Sequence, residues 1–75
     1  MTWTGVINTD WNTGGNWVLG CAPGINSPVI IPGTATAPTQ PTISVAGAKC
    51  KNITIDQSTG GKLTITSPGT LTVSD

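Results

Sequence analysis

Polar and aliphatic residues alternate through the last third of the chain in a unit that recurs four times. Thr42-Ile43-Ser44-Val45, Asn52-Ile53-Thr54-Ile55, Lys62-Leu63-Thr64-Ile65 and Thr70-Leu71-Thr72-Val73 all read polar, aliphatic, hydroxyl, aliphatic. Successive side chains of an extended chain point to opposite faces. The second and fourth residues of each unit are therefore expected to turn inward together: Ile43, Val45, Ile53, Ile55, Leu63, Ile65, Leu71 and Val73. The first and third residues form a wet face of Thr, Ser, Asn and Lys. The units begin at Thr42, Asn52, Lys62 and Thr70, with Ala-Gly, Ser-Thr-Gly-Gly and Ser-Pro-Gly between them. This rhythm predicts short, half-buried strands punctuated by turns.

Two all-β architectures fit it. Antiparallel strands would make a meander or one sheet of a β-sandwich. A right-handed parallel β-solenoid would instead stack the strands as sides of successive coils. Asn-Gly and Asp-Gly hairpin signals are absent, and like residues recur at like positions, which favours the solenoid.

Three segments of one domain are expected. Residues 1–20 hold all three tryptophans, Trp3, Trp11 and Trp17, in a Thr/Asn/Gly background. Asn8-Thr9-Asp10 and Asn12 to Asn16 read as turns held by side-chain-to-backbone bonds, and residues 3–7 and 16–19 as short strands. Large aromatics beside tight turns suit an N-terminal cap, because a solenoid must cover the core of its first coil. Residues 21–41 form a loop-rich connection with one short strand, Val29-Ile30-Ile31, stopped by Pro32. Residues 33–41 are expected to be extended and exposed. Residues 42–75 carry the repeated units.

Composition narrows the chemistry. The 75 residues include 14 Thr, 10 Gly and 6 Pro but no His, Glu, Arg, Tyr or Phe. The abundance of Thr, Val and Ile suits a pleated surface and disfavours helix. Three Lys balance three Asp, so no basic patch exists to hold nucleic acid. No apolar run approaches the ~20 residues of a membrane-spanning helix. Met1 before Thr2-Trp3 reads as a start residue placed on a mature domain. Without His, a Ser/His/Asp or Cys/His relay cannot be assembled, and the chain reads as neither an enzyme nor a cofactor carrier. Cys21 and Cys50 predict a disulfide closing a loop of about 29 residues, worth roughly 3–4 kcal/mol in the chain-entropy model; two buried free thiols are the other reading.

The residues admit three binding readings. Asp10 with Asn8, Asn12 and Asn16 offers oxygens to Ca²⁺, although one carboxylate makes a weak site; capping of turns explains the same residues. Trp11 and Trp17, or Trp3, could stack sugar rings, with Asp10 and Asn12 at the ring edges; core tryptophans explain the same residues. Ser44, Thr54, Thr64 and Thr72 could form an outward column for ice or a surface, but Thr is the usual outward β residue. Asn52-Ile53-Thr54 is formally a glycosylation sequon.

Thr2-Trp3-Thr4-Gly5 followed by Asn8-Thr9-Asp10-Trp11-Asn12-Thr13-Gly14-Gly15-Asn16-Trp17 resembles the opening of large secreted, adhesin- or autotransporter-like β-solenoid surface proteins of Bacteroidota-type bacteria. Pro23 with Val29-Ile30-Ile31-Pro32, Cys50-Lys51-Asn52-Ile53-Thr54-Ile55 and Gly61-Lys62-Leu63-Thr64-Ile65 extend the likeness over nearly the whole chain. The resemblance implies a structural, non-enzymatic module at the cell surface or outside the cell. Its partners would be further coils of a parent chain or other copies of itself, joined at an open C-terminal end. A small carbohydrate-binding module using exposed tryptophans is the competing expectation.

Overall fold

The computed structural model describes residues 1–74, which are all-β, with six short strands and no α-helix. Asp75, one of the three acids and the end of the expected repeat segment, lies outside the described residues. The strands are β1 (Pro28–Ile31), β2 (Thr42–Ile43), β3 (Ala48–Cys50), β4 (Asn52–Ile55), β5 (Thr64–Ile65) and β6 (Leu71–Val73). They pair as three two-stranded sheets, β1–β4, β2–β5 and β3–β6. Every one of these pairs is parallel: Val29 lies opposite Ile53, Ile43 opposite Ile65 and Cys50 opposite Val73. A meander would pair neighbouring strands antiparallel. The antiparallel alternative therefore fails, since each strand passes over the two that follow it and pairs with the next.

All three sheets face one core. It contains Val29 and Ile31 from β1, Ile43 from β2, Ala48 and Cys50 from β3, Ala37, and the three tryptophans. Ile53, Ile55, Leu63 and Leu71 pack against it partly buried. The alternation thus holds for five of the eight predicted inward residues. Val45, Ile65 and Val73 depart from it, at 50 %, 49 % and 43 % exposure. Val45 sits past the end of the two-residue β2, where the chain bends into the Ala46-Gly47 turn and the period of two no longer applies. Ile65 and Val73 each cover a buried partner, Ile43 and Cys50, but no strand covers them in turn among the described residues.

Two other expectations are corrected. Residues 33–41 do not run extended and exposed: Thr36 and Ala37 both donate backbone N–H to Gly33 O, and the turn drives Ala37 and Pro41 into the interior. Gln40 fixes this turn by donating from Nε2 to Pro32 O (3.1 Å) and Ala37 O (2.7 Å). Its Oε1 accepts from Lys62 N (2.9 Å), tying the turn to the next layer. Residues 3–7 and 16–19 do not form strands; only isolated bridges form there, and Val6, Ile7, Val18 and Leu19 are exposed.

Candidate functional site

The fold presents two unlike ends, one covered by residues 1–20 and one bounded by β4, β5 and β6. At the covered end, Trp17 stands edge-on between its neighbours, with ring centroids 5.2 Å from Trp3 and 4.9 Å from Trp11 and interplanar angles of 80° and 77°. Such pairs contribute about 0.5–1.5 kcal/mol each beyond area burial. Trp3 Nε1 donates to Thr39 O (2.7 Å) and Trp17 Nε1 to Trp11 O (2.8 Å). Trp11 Nε1 is buried with no acceptor among the described residues.

Asn16 organises the loop that carries these rings. It is fully buried, and its Oδ1 accepts from Ile7 N (2.9 Å) and Asn8 N (3.0 Å). Its Nδ2 donates to Asn8 Oδ1 (2.7 Å) and Asp10 O (2.9 Å). An amide can make two bonds at each end, so the side chain is saturated. Around it the predicted turns form as expected. Asn8 Oδ1 accepts from Asp10 N, Asp10 Oδ1 from Asn12 N, and Asp10 Oδ2 from Thr13 Oγ1. Of the oxygens considered for Ca²⁺, those of Asn8, Asp10 and Asn16 are thus engaged by N–H and O–H donors of their own loop. Gly5 has φ +65°, and a Cβ there would collide with Thr39 O, so only glycine closes the loop against the middle segment.

The same segment covers two of the three earlier strands. Ile30 N donates to Met1 O (2.8 Å), and Trp3 N to Ile30 O (3.0 Å). Thr42 N donates to Thr9 O (2.6 Å), and Trp11 N to Thr42 O (3.1 Å). β1 and β2 are therefore held on both edges, by parallel bridges on one side and by β4 and β5 on the other.

The opposite end differs. β4, β5 and β6 each pair along one edge only among the described residues. Asp56 N donates to Ile31 O, Thr66 N to Ile43 O and Ser74 N to Cys50 O. Successive peptide groups of a strand point to opposite edges. Ile53, Ile55, Leu63, Ile65, Leu71 and Val73 consequently turn their own N–H and C=O groups to the open edge. These residues belong to the aliphatic set predicted from the alternation, and three bare ladders surround the end they line.

Several predicted site residues are placed otherwise. Trp3, Trp11 and Trp17 are buried, with 0 %, 0 % and 2 % exposure, so no indole face is available to a sugar ring; Asp10 and Asn12 are exposed but flank a buried ring. The Cys21–Cys50 disulfide is not formed. Cys50 points into the core from β3 while Cys21 lies exposed in the loop after Gly20, and both thiols are free. Burial pushes the Cys50 thiol up from its ordinary value. Thr54, Thr64 and Thr72 lie in three different sheets, so they cannot stack in one column with Ser44. Asn16 and Gln40 carry no distinguishing motif; the only signal for Asn16 is its place between two glycines and a tryptophan.

A family described as a domain of unknown function, DUF8693, matches residues 2–75. The chain belongs to that family. Neither a curated protein nor a solved structure matches it. In this DUF8693 chain the match takes in both the tryptophan segment and the three parallel strand pairs.

Proposed function

We propose that the chain is a non-enzymatic structural module: the capped first coils of a right-handed parallel β-solenoid whose open end takes further strands. The observation that carries this reading is the contrast between the ends. Three parallel pairs enclose one core; two of the earlier strands are sealed by the tryptophan segment, and all three later strands keep a bare edge among the described residues. Unpaired parallel edges above a partly covered apolar floor are a template for more chain. Further coils of the same chain or other copies of it fit that template. A sequence without His, Glu, Arg or Tyr supports the non-enzymatic part. Placement at a bacterial cell surface or outside the cell rests on the resemblance of the Trp/Asn segment and the Thr-aliphatic units to secreted adhesin-like solenoids. With both thiols free, cysteine pairing adds nothing to that placement.

Light scattering over a concentration series tests the reading. Ile65→Lys and Val73→Lys place charges on the open end and are expected to suppress association. Leu19→Lys, on the covered end, is expected to leave it unchanged. Association that responds to Leu19→Lys but not to the other two would refute the assignment, as would a strict monomer at every concentration.

A further inference from the structure

The tryptophan segment is in register with the strands it covers. Thr2 lies opposite Ile30 and Ile30 opposite Thr54, while Asp10 lies opposite Thr42 and Thr42 opposite Thr64. One residue further along each section, Trp3 follows the column of Ile31 and Ile55, and Trp11 that of Ile43 and Ile65. Both indoles are buried, so they take the inward positions of those columns. On two sides, residues 1–20 are therefore built as one more coil, with indoles in place of aliphatic side chains. Alternate peptide groups of an extended chain point to opposite edges, so such a coil has an outer edge as well as an inner one. Left bare, the outer edge would take a strand at this end too.

That edge is closed from within the segment. Met1 O, Trp3 N, Thr9 O and Trp11 N face inward and bond β1 and β2; the groups that alternate with them face away. Of these, Thr2 O accepts from Val18 N (3.1 Å) and Thr4 N donates to Asn16 O (2.7 Å). Asp10 N donates to Asn8 Oδ1 (2.9 Å), and Asp10 O accepts from Asn16 Nδ2 (2.9 Å) and from Thr13 N (3.1 Å). A neighbouring strand would offer Asp10 one acceptor and one donor. Here the amide of Asn8 supplies the acceptor and the amide of Asn16 the donor, and the two amides bond each other (2.7 Å). Asn16 serves both sections, through its backbone C=O at Thr4 and its side chain at Asp10. We propose that Asn8 and Asn16 form a strand stop: their side-chain amides stand where the next strand's peptide group would, so the tryptophan end accepts no strand from another chain. Calling the segment a coil rests on the solenoid reading above, whereas the closing of its edge does not.

Amide hydrogen exchange on the full chain, read by NMR at a concentration where it is monomeric, tests the stop. Asp10 is an exposed residue, yet its amide is expected to exchange roughly tenfold more slowly than in the unfolded chain, the protection one hydrogen bond confers. Asn8 is exposed as well. Asn8→Ala removes the acceptor and is expected to erase that protection while leaving Thr4 and Val18, whose partners are backbone groups, unchanged. Asn8→Asp keeps an acceptor for both Asp10 N and Asn16 Nδ2 and is expected to retain it. Fast exchange of Asp10 in the unmodified chain, which needs no variant to fold, overturns the stop. So does equal protection in Asn8→Ala, or its loss in both variants. Over a concentration series the amide signals of Thr4, Asp10 and Val18 should stay in place; movement there would show a strand adding at this end and would also overturn the stop. A chain that is monomeric at every concentration overturns the strand-accepting open end but not the stop, which is read in the monomer.

Discussion

Asn16→Ala should cost the cap most of its stability, and the size of the loss can be worked from four hydrogen bonds. Asn16 is fully buried and bonds Ile7 N, Asn8 N, Asn8 Oδ1 and Asp10 O at 2.7 to 3.0 Å. Each such bond is worth a net ~0.5–1.5 kcal/mol, and a buried group left without a partner loses about 1–3 kcal/mol. Asn8 and Asp10 lie at the surface, so water replaces part of what Asn16 supplied. A loss of about 3 kcal/mol is the expected balance. In a chain of this size that lowers the melting midpoint by about 12–24 °C. Asn16→Asp separates the two halves of the amide. It keeps the acceptors for Ile7 N and Asn8 N but sets a second carboxylate oxygen against Asn8 Oδ1 and Asp10 O. It is expected to be at least as damaging as alanine at neutral pH and to recover when the carboxyl is protonated. Urea titration followed by tryptophan emission reads both variants, since all three indoles are buried in the cap. A loss below about 0.5 kcal/mol for Asn16→Ala, the range of ordinary surface changes, would show that the loop is held by something other than this side chain.

The cysteines and Asp56 give two further tests. With Cys21 exposed and Cys50 in the core, an aromatic disulfide reagent should label one thiol at once and the second only on unfolding; two unreactive cysteines would restore the disulfide. Because burial raises the Cys50 thiol in the folded state, the stability linked to it is fully present below the ordinary value of 9.0 and is lost as pH rises through the raised value. Asp56 runs the other way. Hydrogen bonds from the Ser58 and then the Thr59 side chains hold its carboxyl below the ordinary 3.8. Its contribution is therefore present above 3.8 and is lost as pH falls through the lowered value. Titration by NMR should place Asp56 below an Asp in a short peptide, and Ser58→Ala should move it back up.

Legibility in the sequence divides by what sets each position. The alternation places Ile43 and Ile53 correctly because an extended backbone alone dictates which way a side chain leaves it. It fails at Val45, where the strand ends two residues early, and the sequence marks that end only by Ala46-Gly47. Strand direction is not legible, because parallel and antiparallel partners need the same inward set. The burial of the tryptophans is legible from size and turn context. That of Ala37 is not, because a small residue enters a core only when Gly33 and Gln40 fold the chain beneath it. Asn16 reads as one more turn residue; that it collects four bonds depends on Ile7, Asn8 and Asp10 converging from elsewhere in the loop. The open end combines both cases: its aliphatic residues are visible in the repeat, while the bare edges above them emerge only from the pairing.

The spacing of the strand partners also governs time. Among the described residues no ladder joins consecutive strands, since two other strands lie between the members of each pair. Closing such long loops has to be accomplished before any pairing compensates for it, which places chains of this kind among slow folders for their length. The ring contacts of the tryptophan loop span a shorter stretch, from Trp3 to Trp17, although the loop also bonds Ile30, Thr39 and Thr42. The ring contacts of the roof are therefore expected to form ahead of the three ladders, whose walls close afterwards beneath it.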